Sequence, residues 1–380
     1  MVSGKLDDGS EKGLKGHFRE DFSQRTRTGL APRAGHVLRD APYKRIACEE
    51  AWTFPDLVKA QVAYLESGAA PNDDSLKMAG MFANMPSLQE MLQDLGDLRI
   101  SHMDELGIDR QLLLLTAPGV QVVKPGDGTA LAAQANDIAA EACRHHPTRF
   151  SACAAFDPRD VAGSVKELER AAGLGLNGAV LNSHWQGHYL DEPEFWPILE
   201  ALEANDLALY IHPTAPFNGA HYEKRGFFGA LGGFPHDVWL HTMGLIMSGA
   251  FDRFPKLRLV IGHMGECMPL HLYRFDWMQG NADGRARPGL FGDGAIRNLK
   301  HPASYYFKTN IWITTSGVGW EPAIKFCQEV LGPERVIYAM DYPYQQSYDE
   351  VAAYDRMAIS DEDKKMLMED NARAVFRIKG

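Results

Sequence analysis

The sequence predicts a (β/α)8 barrel. Eight short apolar runs, most followed by a helical pattern, carry that prediction. No GxGxxG and no P-loop sequence opens a helix, which argues against an open doubly wound sheet. Three of the runs end abruptly on reactive side chains. Val260-Ile261-Gly262-His263-Met264-Gly265-Glu266 stops on Gly, His and Glu. Leu209-Tyr210-Ile211-His212-Pro213 stops on His, and Val336-Ile337-Tyr338-Ala339-Met340-Asp341-Tyr342-Pro343 on Asp. A short β-branched run bounded by Gly reads as a buried parallel strand.

Composition bounds the rest. The 380 residues, 45% hydrophobic and 23% charged, suit one globular barrel with insertions and need no disulfide to stabilise the core. A net charge of -11 without a Lys/Arg cluster disfavours nucleic acid as a partner. An anionic substrate would need a locally basic pocket. The five cysteines are odd in number and scattered without a CxxC pair, which fits reduced thiols and a cytoplasmic setting. No run approaches the ~18 apolar residues of a membrane span, and the N-terminus lacks an apolar signal region.

In chain order, residues 1–43 read as a polar N-terminal arm, and residues 44–380 as the barrel domain. Arg45-Ile46-Ala47-Cys48 is the first strand, ending on Glu49-Glu50-Ala51-Trp52. An insertion follows from about Thr53 to Arg99, with Met78, Met81, Met85 and Met91 in it. Insertions of that length after a barrel strand serve as lids or substrate walls, and methionine suits a flexible apolar wall, although plain helix packing explains it as well. Ile100, Met103 and Leu106 form one helical face with Gly107 as the stop. Gln111–Thr116, Phe150–Phe156 and Gly178–His184 are the second to fourth strands. Helices follow over about 130–145, 161–172 and 192–204, the last with Pro193 in its first turn. Leu207–His212 is the fifth strand, with a loop to about Asp237 rich in Gly and Phe. A helix over about 238–251 leads into the sixth strand, Leu257–His263, and a helix over about 269–278 follows. Tyr305–Thr315 contains the seventh strand and Val336–Met340 is the eighth, with helices over 322–330 and 361–375.

In a parallel barrel all the C-terminal strand ends face one mouth. Glu49, His212, His263 and Asp341 therefore converge. Two carboxylates with one or two imidazoles suit a divalent cation with open positions, and the oxygen-rich set favours Mn²⁺, with Zn²⁺ as the alternative and no organic cofactor. Taken singly, each has another reading: a hydrogen-bonded core histidine, a turn aspartate, a capping glutamate.

These residues sit in stretches that resemble the amidohydrolase superfamily, in its metal-dependent aromatic decarboxylase branch, which includes γ-resorcylate and 5-carboxyvanillate decarboxylases. The stretches are Glu49-Glu50-Ala51-Trp52, Met103-Asp104-Glu105-Leu106-Gly107-Ile108-Asp109, Pro118-Gly119-Val120-Gln121, Ala135-Asn136-Asp137, Asn182-Ser183-His184-Trp185-Gln186-Gly187, Tyr210-Ile211-His212-Pro213, Phe251-Asp252-Arg253-Phe254-Pro255, Gly262-His263-Met264-Gly265-Glu266 and Met340-Asp341-Tyr342-Pro343. The resemblance implies that Glu49, His212 and Asp341 bind the metal, with His263 beside it. It departs at two places. Ala51 stands where many members carry a further histidine ligand, as in 5-carboxyvanillate-type members. His241-Thr242-Met243-Gly244 has Gly where many carry Arg.

The resemblance implies a carboxy-lyase acting on a hydroxylated aromatic acid. Asp341 would deliver a proton to the ring and His263 would orient it or stabilise charge. Arg274, eleven residues after His263, is expected to reach a substrate carboxylate, in its own or a neighbouring subunit of a homodimer or homotetramer. Arg99, Tyr344 and His184 are further substrate-facing candidates. A lactone or amide hydrolase on the same metal, and a non-catalytic barrel with a structural metal, are the competing readings.

Overall fold

The computed structural model describes residues 35–279 and 299–379, so most of the expected N-terminal arm lies outside the described residues. Eight parallel strands pair in sequence order, β1 (Ile46–Trp52), β2 (Arg110–Leu115), β3 (Phe150–Ala155), β4 (Gly178–Leu181), β5 (Ala208–Ile211), β6 (Leu259–Ile261), β7 (Ile311–Thr314) and β8 (Val336–Ile337). The sheet closes through Cys48 N to Tyr338 O at 3.1 Å and Ala51 N to Tyr342 O at 2.7 Å. This is the (β/α)8 barrel that the alternating pattern predicts. Every strand residue but Trp312 is buried, which is why the strands read as apolar runs rather than as alternation.

The helices follow ordinary local rules. The 18-residue helix after β2, Gly128–His145, buries an alanine stripe at Ala132, Ala135, Ala139 and Ala142, and small side chains let it lie close to the sheet. Arg144 and His145 in its last turn suit the helix dipole. The helix Asp97–Leu106 stops on Gly107 at φ 74°, the left-handed cap that its sequence predicts. The lid holds three helices, α1 (Pro55–Glu66), α2 (Asp74–Ala83) and α3 (Pro86–Gln93). Asp73 caps α2 by accepting from Leu76 N.

Some boundaries differ from expectation, and the reasons bear on the site. The first strand continues to Trp52 instead of stopping at Cys48, so Glu49 and Glu50 lie inside the ladder. Ala47 pairs with Gln111 and Glu50 with Leu113, so Cys48 and Glu49 share one partner position in a bulge. A strand can carry two buried carboxylates only where other groups meet them, and both are met here. Met340 N and Gln111 Nε2 donate to Glu50, at 3.0 and 3.2 Å. The sixth strand is shorter than expected because His263 has already left the sheet. Of the arm, residues 35–43 pack on the barrel, with Val37 and Tyr43 in its core and Leu38 N donating to Asp355.

Candidate metal centre

Glu49 points into the mouth from the bulge of β1. Its Oε2 accepts from the hydroxyls of Tyr210, Thr314 and Ser316. Its Oε1 is buried without a hydrogen-bond partner. Gly262 makes room for it, since a Cβ there would stand 2.6 Å from the Glu49 carboxylate. His212 follows β5. Its Nδ1 lies 2.8 Å from the Pro213 carbonyl, which can only accept, so Nδ1 carries the proton and Nε2 presents its lone pair. That Nε2 is 3.7 Å from Glu49 Oε1. Asp341 follows β8 at φ 73°, and its Oδ1 is also buried without a partner.

Ligand atoms of Glu49, His212 and Asp341 all lie within 4.8 Å of one another. One ion with bonds of about 2.0–2.2 Å spans donors roughly 4 Å apart, so the three need only a small closure to share it. Two buried carboxylate oxygens without hydrogen-bond donors are costly alone and suit a cation between them. The residues present therefore fit a divalent ion with three protein ligands and open positions. A second group, His188, Glu192 and Glu194, lies at the surface, where His188 Nδ1 sits at hydrogen-bond distance, 3.0 Å, from Glu192 Oε2.

His263 stands over this group. Its Nε2 is 3.5 Å from Glu49 Oε1 and 3.8 Å from Asp341 Oδ2, and its Nδ1 is 2.9 Å from Glu266 Oε1. The chain reaches this position by an unusual path. From His263 to Cys267 every residue has positive φ (53, 56, 68, 49 and 64°), one turn of left-handed helix. Such a turn costs roughly 1–2 kcal/mol for each non-glycine residue. It folds Glu266 back beneath its own histidine, which an extended strand would not do. Strain of this kind persists where the surroundings over-determine it, and it concentrates at functional sites.

The charges are coupled. Burial works to raise the Glu49 carboxyl, but the His263 and His212 imidazoles and the Ser316 and Tyr210 hydroxyls outweigh it and hold it below the usual range. Burial raises Asp341, helped by the charge of Glu49 and opposed by His263. At His263 burial opposes the imidazolium, yet Glu49, Glu266 and Asp341 raise its pKa well above the ordinary value.

The other expected substrate contacts divide. Tyr344 faces the same region, its hydroxyl 2.6 Å from Thr116 Oγ1 and its ring 5.5 Å from that of Phe82 in the lid. Arg99 turns into the framework. It is 0% exposed, and its donors go to the carbonyls of Asp94, Ala51 and Met91 and to Gln111 Oε1, while its guanidinium lies over the Tyr342 ring. It braces the lid against β1 and the Asp341 loop. His184 spends both ring nitrogens on loops, Nε2 on Ala215 O and Nδ1 on Gly187 N. Arg274 is exposed on the helix Leu272–Met278, and no ion pair or hydrogen bond to another described residue involves it.

Sequence reasoning missed the cradle of Glu49. Tyr210 lies two residues before His212, and Thr314 and Ser316 are likewise two apart, so period-two alternation would have placed each pair on one face. It also missed Glu266, because a strand ending on His263 would not bring a residue three positions on back to it.

A family model described as amidohydrolase matches residues 87–378. The chain belongs to the amidohydrolase family. A γ-resorcylate decarboxylase of Polaromonas is 30% identical over 331 residues, covering 83% of this chain and 98% of that protein. The crystal structure of a 5-carboxyvanillate decarboxylase from Novosphingobium aromaticivorans, with manganese and 4-hydroxy-3-methoxy-5-nitrobenzoic acid, has 40% identity and a TM-score of 0.83 over 90% of this chain and 98% of its own. A dihydroxybenzoic acid decarboxylase from Polaromonas, with manganese and 2-nitroresorcinol, has 27% identity and a TM-score of 0.75 over 88% of this chain and 97% of its own. Within this amidohydrolase chain, the glycine at 244 has a structural counterpart. A Cβ there would meet the Asp191 carboxyl at 2.9 Å, so Asp191 fills the space beside the helix.

Proposed function

We propose that this protein is a manganese-dependent decarboxylase of hydroxylated benzoic acids. The observation that carries the reading is the meeting of Glu49, His212 and Asp341 at the barrel mouth with two carboxylate oxygens left unpaired, in a chain whose relatives are decarboxylases. Glu49, His212 and Asp341 hold the cation. When bound, the ion acts as a Lewis acid and a template for the oxygens of the substrate. The ring lies between Asp341 and the lid. Expelling CO₂ directly from an aryl carboxylate would leave a high-energy aryl carbanion. A proton delivered from Asp341 to the ring carbon that bears the carboxylate avoids this. The C–C bond then breaks, its electron pair restores the aromatic ring, and CO₂ leaves. His263, held by Glu266, keeps Asp341 oriented and balances its charge. Arg274 takes a substrate carboxylate in a neighbouring copy of the chain, since its helix turns it outward.

A panel of ortho-hydroxybenzoates assayed for CO₂ release, after chelator treatment and after return of Mn²⁺, tests the reading. The expected result is metal-dependent CO₂ release without incorporation of solvent oxygen. Solvent oxygen in the product of a lactone or amide, without CO₂, would overturn it in favour of hydrolysis.

A further inference from the structure

The chain leaving β7, Thr314-Thr315-Ser316-Gly317, adds no member to the set that can share the cation. Its three hydroxyl side chains are nevertheless buried in a row, each at 0% exposure, at the end of an apolar strand. Buried hydroxyls are costly unless they are hydrogen-bonded, so their partners report their role. Side chains alternate along an extended chain. Thr314 and Ser316 both donate to Glu49 Oε2, Thr314 at 2.7 Å. Thr315, between them, turns to β8. Its Oγ1 accepts from Ala339 N at 3.1 Å and donates to Ala339 O at 3.2 Å, two residues before Asp341.

The same segment also reaches His263. Ser316 Oγ accepts from His263 N at 3.2 Å, so one hydroxyl joins Glu49 on β1 to the first residue of the left-handed turn after β6. Gly317 lies at φ 66°, and a Cβ there would stand 3.2 Å from His263 Cδ2, so the bare backbone supports the edge of the imidazole. At Glu49 the hydroxyl of Tyr210 is the third donor to Oε2. A carboxylate oxygen has about two lone-pair sites, and three donors use them up. Oε1, the oxygen without a donor, is left for the ion.

Resting on the reading of this site as a manganese-dependent decarboxylase, we propose that Thr314, Ser316 and Gly317 are positioning residues that divide the site between them. Thr314 holds Glu49 so that Oε1 alone meets the cation. Gly317 sets the place of the His263 ring. Ser316 does both, and so couples the metal ligand on β1 to the histidine after β6. Hydrogen bonds to the far side of a ligand orient it and govern metal affinity. A small misplacement of a group beside the reacting atoms acts on turnover. Removing the Thr314 hydroxyl therefore weakens metal binding, adding a methyl at Gly317 slows turnover, and removing the Ser316 hydroxyl does both.

Two readouts test the division: Mn²⁺ affinity, from the EPR signal of the free ion, and kcat for CO₂ release at saturating Mn²⁺. Thr314→Val keeps the shape of the side chain without its hydroxyl, and is expected to weaken Mn²⁺ binding by about 10–100-fold. Thr314→Ser keeps the hydroxyl without the methyl, and is expected to retain the affinity. The reverse ranking would mean that Thr314 only packs, and it overturns the proposal. Gly317→Ala is expected to keep Mn²⁺ affinity and to lose about 10²-fold in kcat. Ser316→Ala is expected to lose both, and a variant that spares either overturns its coupling role. If Ser316→Ala or Gly317→Ala does not fold, the Thr314 pair still decides. CO₂ release with Mn²⁺ affinities unmoved in every variant overturns the positioning roles and leaves the decarboxylase reading standing. The expected shifts in Mn²⁺ affinity, without CO₂ from any ortho-hydroxybenzoate, sink that reading and leave Thr314 and Ser316 assigned to Glu49.

Discussion

The two ends of this barrel treat buried charge in opposite ways. At the end where β1 begins, Arg45 and Asp355 are each 3% exposed and meet at 2.7 Å. Tyr43 and Leu38 N donate to the same carboxylate, and the second nitrogen of Arg45 donates to the Gly107 carbonyl. At the mouth, four residues further along the chain, Glu49 keeps one oxygen without a donor, and Asp341 does the same after β8. Charge is neutralised within the chain at one end and left for a ligand at the other. The backbone agrees with this division: the left-handed turn His263–Cys267 and the positive φ of Asp341 both lie at the mouth.

The sharpest break of this comparison is Asp341→Asn. The amide keeps the shape and some metal affinity but has no carboxyl proton to deliver. Turnover is expected to fall about 10⁴-fold, ~5.5 kcal/mol in barrier, with the thermal midpoint nearly unchanged. CO₂ release at near wild-type rate would show that the unpaired oxygens at the mouth are not the reacting group. The mirror experiment is Asp355→Ala at the far end. It strands the Arg45 charge in the core and is expected to cost about 3–5 kcal/mol of stability, read from the urea midpoint. The folded fraction should retain its kcat. Loss of kcat with stability intact would erase the distinction between the two ends.

Much of this division is legible in the sequence. Apolar runs that stop on His or Asp give the barrel and put Glu49, His212, His263 and Asp341 at one mouth, because closure of parallel strands brings residues far apart in sequence to one rim. Side-chain direction is less legible. Arg99 reads as a substrate arginine by residue type, yet the carbonyls that absorb its donors come from Ala51, Met91 and Asp94, and their meeting depends on how the lid folds back. The bulge at Cys48–Glu49 and the left-handed turn have no periodic signature, so the lengths of β1 and β6 emerge only in three dimensions.

Glu350 tests the comparison most finely, because it fits neither end. It is buried behind the mouth, with Oε1 unpaired and Oε2 only 3.5 Å from Gln345 Nε2, and Gln345 N in turn donates to Asp341 O. Among the described residues no arginine pairs with it, and it lies outside the set that can share the cation. Burial, opposed by the Gln345 amide, pushes its carboxyl up from 4.5 to about 7. A raised pKa means that the folded chain holds the proton more tightly than the unfolded chain. Its contribution to stability is therefore complete below about pH 4.5 and is lost as pH rises through about 7. Glu350→Gln cannot ionise and should remove that decline, on the order of 2–3 kcal/mol between pH 5 and 8. Urea midpoints at intervals across that range check it. The variant curve should be flatter and should lie above wild type at pH 8, with metal affinity retained. If the variant instead follows the wild-type slope, Glu350 is already charged when folded. The mouth would then tolerate an unpaired buried carboxylate that no ligand needs, and unpaired oxygens alone would no longer separate the metal ligands from their surroundings.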